Sequence, residues 1–387
     1  MARVMIEPQR KSTRGPDTII VGTYPPTRCG LATFTANTRR GLLAADPTRD
    51  VAVLRVGAPP DDLEQKVEVH ATWPHGGASF AAAAACDDFD VVLLQHEFGI
   101  YNGVHGAAVL DFAGHLRVPL VTVLHTVLVE PKGMQRSIIE ELAARSAGLI
   151  VLCEAAADRL ADRYRVDARL VTAIPHGADL NFGPEPTRCR RPPMVLTWGL
   201  IGPGKGIEHA IKAVADLAGR GLRVRYVVAG QTHPKVLAAE GERYRCQLRK
   251  LAQQLGVGDL IDLDDRYRSW SDLHALVREC DLVVLPYDSR EQVTSGVLVE
   301  ALASGKPVVS TAFPHAVEVV ADRAGIVVPH EESGAIASAI QRLLTDPLLR
   351  RRCARAARHE GRRHAWPAIG ARYDTALREA LSTVAKV

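Results

Sequence analysis

Short β-branched runs separated by segments of helical periodicity recur along the whole of this chain, and that alternation strongly restricts the architecture open to it. The runs Thr18–Val21, Val51–Leu54, Val91–Leu94, Leu120–Leu124, Leu149–Leu152 and Leu170–Ile174 are apolar at consecutive positions, with helical spacing at Ala32–Leu43 and Met134–Ala144. Strands without polar alternation are buried on both faces, which calls for a parallel sheet with helical crossovers. A Pro- and Arg-rich stretch, Gly183 to Pro193, then breaks the pattern as a linker would. Beyond it the alternation restarts, with strands at Met194–Trp198, Val224–Ala229, Asp281–Pro286, Pro307–Ser310 and Ile326–Val328. Helices fall at Ile207–Gly219, Tyr244–Gln254 and Val297–Ala303. A length of 387 residues suits two domains of roughly 180 residues. The expected fold class is α/β, two doubly wound, Rossmann-like domains facing across a cleft. The first spans 1–183, the linker 184–193 and the second 194–364, followed by a helical segment, 365–387. In such sheets ligands sit beyond the carboxyl ends of the strands.

Composition narrows the class without naming a substrate. Hydrophobic residues make up 47% and charged residues 24%, enough for two cores, and the net charge of +4 fits anionic small molecules better than nucleic acid. Seven scattered cysteines, none in a C-x-x-C pair, argue against a disulfide framework or zinc site. The polar N-terminus lacks the apolar core of a signal peptide, and no apolar run approaches the ~18 residues that cross a bilayer. A cytoplasmic protein is expected.

Two constellations carry chemistry. The first, Trp198-Gly-Leu-Ile-Gly-Pro-Gly-Lys-Gly-Ile207, is a glycine-rich turn between strand and helix, where Lys205 supplies a point charge for phosphate. Gly199, Gly204 and Lys205 nearly spell a nucleotide-triphosphate loop. Gly206, however, stands where that loop needs a hydroxyl for magnesium. The second runs from Pro286 to Val309. A strand ends at Leu285, a polar loop follows, and a helix begins near Ser295 and Gly296 with its free N–H groups available to an anion. Glu300, one turn in, suits a diol such as ribose. Taken alone, Glu300 also reads as a surface helix residue and Ser295 as a plain N-cap.

Together these segments resemble the family 4 retaining glycosyltransferases of the two-Rossmann-domain, GT-B type. The resemblance extends to Tyr24-Pro-Pro-Thr-Arg-Cys-Gly30, Leu124-His-Thr126, Ile174-Pro-His-Gly177, Glu300-Ala-Leu-Ala-Ser-Gly-Lys-Pro-Val-Val309 and the Trp366–Tyr373 region. It implies transfer of a hexosyl group from a GDP- or UDP-linked donor to a carbohydrate, lipid or small-molecule acceptor, with no cofactor and no metal. The closing helix would pack back on the first domain. The implied donor site is Gly30, Gly204, Lys205, Glu291, Gln292, Thr294, Ser295, Gly296, Val297 and Glu300, with His125, Lys205, Gln292 and Glu300 at the reacting centre. The family's paired acids, seven residues apart, count back from Glu300 to Gln292, which marks a glutamine variant. Its phosphate arginine falls at Leu200, leaving Arg28, Arg290 and Lys132 as candidate replacements.

Gln95-His-Glu-Phe-Gly-Ile-Tyr101 follows a strand, and His96, Glu97 and Tyr101, with Arg28, are candidates for the acceptor side. Gly230-Gln-Thr-His-Pro234 reads as a second cleft loop. Asp88-Phe-Asp90 precedes its strand, at the wrong end for the cleft, and is read as structural. The arginines at 350, 351, 352, 355, 358, 362 and 363 read as a solvated helix face, with a peripheral contact to an anionic membrane as the rival. Alternatives to sugar transfer are a sugar-nucleotide epimerase or phosphorolytic enzyme of the same fold, and a non-catalytic sugar-nucleotide-binding protein.

Overall fold

The computed structural model describes residues 14–27, 29–57, 67–183, 192–266, 268–321 and 323–384. Arg28 and most of the linker, 184–191, lie outside the described residues. In the first half β1 (Thr18–Gly22), β2 (Val51–Val56), β3 (Val69–Trp73), β4 (Val91–His96), β5 (Leu120–Leu124), β6 (Gly148–Val151) and β7 (Val171–Ala173) form one sheet. Its order is β3-β2-β1-β4-β5-β6-β7 and every pairing is parallel. In the second half β8 (Met194–Trp198), β9 (Arg225–Ala229), β10 (Ile261–Asp264), β11 (Leu282–Leu285), β12 (Val308–Thr311) and β13 (Gly325–Val328) form another. It too is parallel, in the order β10-β9-β8-β11-β12-β13. Both are the doubly wound sheets expected. The order reverses between β1 and β4 and again between β8 and β11, and loops leaving those strands open a crevice.

The central strands are buried throughout because each face meets helices. On β4, Val92 and Leu94 join Trp73, Phe112 and Leu142 on one side, while Val91 and Leu93 join Phe34, Leu42 and Tyr373 on the other. Two strands lacked this signature. Both β3 and β10 are edge strands with only partial burial, so their residues need not be apolar and their runs do not stand out.

The helix Trp366–Val384 buries Trp366, Ile369, Tyr373 and Leu377 against Ile20, Leu93 and Val121 of the first sheet. It crosses the helix Gly30–Ala45 at two glycines. A Cβ on Gly370 would fall inside the carbonyl of Gly41, and one on Gly41 would lie 2.9 Å from the Trp366 oxygen. Both obstacles are backbone, so neither can swing aside. Gly370→Ala is expected to destabilise the protein by about 2–4 kcal/mol through overpacking, read as a lower urea midpoint at unchanged slope.

The arginine-rich helix Pro347–Arg363 corrects one expectation. Its basic face is not uniformly solvated: Arg350 is buried and donates Nη1 to the Leu344 carbonyl at 3.1 Å, closing the end of the preceding helix. Arg358 donates to the Gly183 carbonyl at 2.6 Å, and Arg358 and Arg362 both lie over the Phe182 ring. No helix among the described residues is long and apolar enough to cross a membrane.

Candidate active site

The glycine-rich turn joins β8 to the helix Ile207–Gly219. Gly206 is the residue before that helix and has a left-handed backbone, φ 61°. A Cβ there would collide with the Pro286 carbonyl oxygen. The position that carries a serine or threonine in a triphosphate-binding loop therefore admits no side chain. Asp288 N and Ser289 N each donate to the Gly204 carbonyl at 3.3 Å, joining this turn to the loop that follows β11. Between them stands Lys205, its Nζ 3.3 Å from Gln292 Oε1 and 4.3 Å from the centre of the Tyr287 ring. Among the described residues no carboxylate forms an ion pair with this ammonium.

The loop after β11 leads into the helix Gly296–Ala303. Ser295 caps it, its Oγ accepting from Leu298 N at 3.2 Å, so the N–H groups of Gly296 and Val297 remain outside the helical ladder. Gln292 donates through its amide to the Thr294 carbonyl and accepts from Lys205, which holds it on the cleft side. Glu291 turns elsewhere. Its carboxylate accepts from Val129 N at 2.9 Å, across on the first domain. Of the two neighbours, Gln292 faces the lysine and Glu291 bridges the domains. Glu300 accepts from the indole N–H of Trp198 at 2.8 Å. Burial pushes its carboxyl up to about 7, against the Trp198 hydrogen bond and with a smaller push from Asp179.

The opposite wall comes from the first domain. His125 follows β5, and its Nε2 lies 2.8 Å from Gln95 Oε1. Its ring meets Phe34 edge-on at 4.7 Å. Burial, then His176 and His96, lower its pKa to about 3, so the imidazole is neutral. Together His125, Thr126, Ser289, Glu291, Gln292, Val293 and Thr294 line a pocket of about 230 Å³ between the domains. Thr126 donates to Glu97 at 2.5 Å beside it. Gly30 opens the helix Gly30–Ala45 with free space where a side chain would stand, and Cys29 Sγ caps that helix by accepting from Ala32 N.

Two acceptor-side expectations need correction. His96 is fully buried, packed on the rings of Phe98 and Tyr101, and Tyr101 is buried with its hydroxyl donating to the Gln95 carbonyl at 2.7 Å. The period of two along β4 explains this. His96 shares a face with Val92 and Leu94, inside the core, while Gln95 points to the side that His125 occupies. Sequence reasoning favoured the ionisable His96 and missed Gln95, although the alternation itself would have found it. It also assigned no role to Trp198, the partner of Glu300. His176 went unassigned too, and its Nε2 lies 3.0 Å from where a Gly296 side chain would begin.

Three of the contacts that join the domains among the described residues lie around the pocket. One is Glu291 on Val129. In the second, Val293 inserts among Leu124, Val127, Ile139 and Val151 of the first domain. In the third, Glu318 Oε1 accepts from Ala155 N at 2.8 Å, placing an anion at the start of the helix Glu154–Arg163. Behind the glycine-rich turn lie Glu208, His209 and Asp288, ligand-type atoms within 4.8 Å of one another. Tyr244 donates to Glu208 at 2.6 Å and His209 lies 3.7 Å from Asp288, so the group forms a polar buttress under the turn.

Comparison with known proteins gives this geometry a family. The pattern of "Glycosyltransferase Family 4" matches residues 29–182 and that of "Glycosyl transferases group 1" matches residues 185–360. The chain is 28% identical to the alpha-D-kanosaminyltransferase of Streptomyces kanamyceticus over 62% of this chain and 64% of that protein. It is 30% identical to the D-inositol 3-phosphate glycosyltransferase of Streptomyces bingchenggensis over 70% of this chain and 65% of that protein. It thus spans just under two thirds of the length of each. Among solved structures, sucrose-phosphate synthase from Thermosynechococcus elongatus superposes with a TM-score of 0.73 at 17% identity, covering 95% of this chain and 100% of that one. Anabaena HepE in complex with UDP-glucose gives 0.71 at 19% identity, covering 96% and 100%. Two family patterns that divide the chain where its two sheets divide, on a shared two-domain fold, lead to one conclusion: the chain belongs to the family 4 glycosyltransferases, with GT-B architecture.

Proposed function

We propose that this protein transfers a hexosyl group from a nucleoside-diphosphate sugar to a hydroxyl acceptor, with retention of configuration and without a metal ion. The observation that carries the reading is the union, in one cleft, of a lysine ammonium with no carboxylate partner among the described residues, an open helix N-terminus and a neutral histidine from the facing domain. The bond between the anomeric carbon and the diphosphate oxygen breaks, leaving negative charge on phosphate and positive charge on the sugar. Lys205 and the N–H groups of Gly296 and Val297 receive the phosphate charge, the work a metal ion would otherwise do. Glu300 accepts from the ribose hydroxyls. His125, donating through Nε2 to Gln95, keeps Nδ1 as an acceptor for a sugar hydroxyl, and Gln292 orients the sugar from the other side. Retention requires the acceptor hydroxyl to approach the face that the diphosphate leaves, and its proton passes to the departing phosphate oxygen. The HepE complex with UDP-glucose, on the same fold, supports a sugar nucleotide as donor.

The test is incubation with UDP- and GDP-hexoses in the presence and absence of candidate acceptors, followed by NMR of the product anomer. Expected is acceptor-dependent release of nucleoside diphosphate, an unchanged rate in EDTA, and the donor's anomeric configuration in the product. Conversion of donor without release of diphosphate would instead make the protein an epimerase. His125→Ala is expected to lower turnover on the order of 10²-fold, with a modest drop in melting temperature because the ring packs on Phe34 and donates to the buried Gln95.

A further inference from the structure

The loop after β9 was noted in the sequence, and the donor site described above leaves it without a part. It runs beside the glycine-rich turn: Ile201 pairs with Thr232 in a short parallel bridge, and His233 N donates to the Ile201 carbonyl at 2.8 Å. His233 ends the loop beside Gly202 of the turn, and Lys235 follows in the first turn of the short helix Pro234–Glu240. His233 Nδ1 accepts from Lys235 N at 3.2 Å, which leaves the proton of a neutral ring on Nε2. The Lys235 ammonium reaches the first domain, standing where a side chain on Gly99 would begin. Like Lys205, it forms no ion pair with a carboxylate among the described residues.

We infer that His233 and Lys235 form a second diphosphate-binding wall, the Lys235 ammonium supplying one positive charge and His233 Nε2–H one neutral hydrogen bond to the donor's phosphates. The inference rests on the donor-site reading above and extends it to a loop that Lys205 and the helix Gly296–Ala303 do not reach. A diphosphate carries more charge than one ammonium and a helix terminus neutralise, and two ammoniums without a carboxylate partner among the described residues create a field that an anion relieves. Both amines act on the same imidazole: burial first, then Lys235 and Lys205, push the His233 pKa down. The ring is therefore neutral at neutral pH and serves as a donor of fixed direction. Because Lys235 also touches the first domain at Gly99, a diphosphate held there would contact both walls of the cleft.

Calorimetric titration of UDP and GDP, with uridine and guanosine as phosphate-free controls, decides the matter. Lys235→Gln removes the charge from an exposed side chain. His233→Asn keeps an N-cap acceptor for Lys235 N and withdraws the Nε2 donor, its own amide N–H groups lying closer to the backbone and out of that reach. Expected is a roughly tenfold loss of diphosphate affinity for Lys235→Gln and a loss of about fivefold for His233→Asn. Nucleoside affinity should be unchanged, and Lys235→Arg should recover most of the loss. If the natural protein binds neither UDP nor GDP, the donor-site reading itself fails. If it binds one of them, and Lys205→Ala abolishes that binding while both loop variants retain it in full, the inference falls and the donor site stands.

Discussion

Lys205→Ala is expected to lower kcat/KM by roughly 10²–10³-fold while leaving the melting temperature close to that of the natural protein. The ammonium is half-buried, stacked over Tyr287 and hydrogen-bonded to the neutral Gln292, with no carboxylate partner among the described residues to leave stranded. Its removal therefore costs the folded state little. In the transition state the situation reverses. The diphosphate gains charge as the glycosidic bond opens, and a preorganised cation in a desolvated cleft is worth about 3–4 kcal/mol there. At 1.36 kcal/mol per decade that corresponds to roughly 10²–10³ in rate. Lys205→Arg keeps the charge but spreads it over a planar fork, so partial recovery is expected. Single-turnover rates with saturating donor measure the effect on the chemical step. Unaltered turnover in the alanine variant would remove Lys205 from the mechanism.

Glu300→Gln is expected to weaken nucleoside binding and strengthen the free fold at the same time. The carboxyl has an ordinary value near 4.5 and is raised to about 7 in the folded protein. The folded state thus holds its proton more tightly than the unfolded chain does. The stabilisation linked to that proton is complete below about 4.5 and is lost as pH rises towards 7. Glutamine cannot ionise, so the variant should melt above the natural protein at pH 8, with the gap closing by pH 5. Binding should move the other way. The ionised carboxylate can accept from both ribose hydroxyls, so nucleoside affinity of the natural protein should increase through pH 7. The variant should bind roughly tenfold more weakly at pH 8, without pH dependence. Thermal melts and titrations across pH 5 to 8 read both effects on one pair of proteins.

The central strands and the glycine-rich turn were legible in the sequence because they are local. Met194–Trp198 is apolar at nearly every position, and Gly206 declares a turn that no side chain could enter. The edge strands β3 and β10 were not legible, since half-exposed strands carry no continuous apolar run. Long-range pairings were hidden for a different reason. Nothing near Glu291 announces Val129, nothing near Val293 announces Leu124, and nothing near Glu318 announces Ala155. These contacts exist only once two separately folded surfaces meet. The arginine-rich helix shows the same limit, because a guanidinium that closes a neighbouring helix has the same sequence signature as one in water. His96 was a failure of another kind, since ionisability outweighed a strand period already visible in the run.

The last helix fills a groove on the first sheet, and that arrangement has a consequence during synthesis. The strand β7 ends at Ala173 and the covering helix at Val384. A ribosome adding about 5–20 residues per second emits the intervening stretch over roughly 10–40 s. Throughout that interval the nascent first half carries Phe34, Leu42, Leu93 and Val121 with no lid over them. The first half is therefore expected to stay open on that face until the covering helix has been made, which protease sensitivity of chains halted before Trp366 would read.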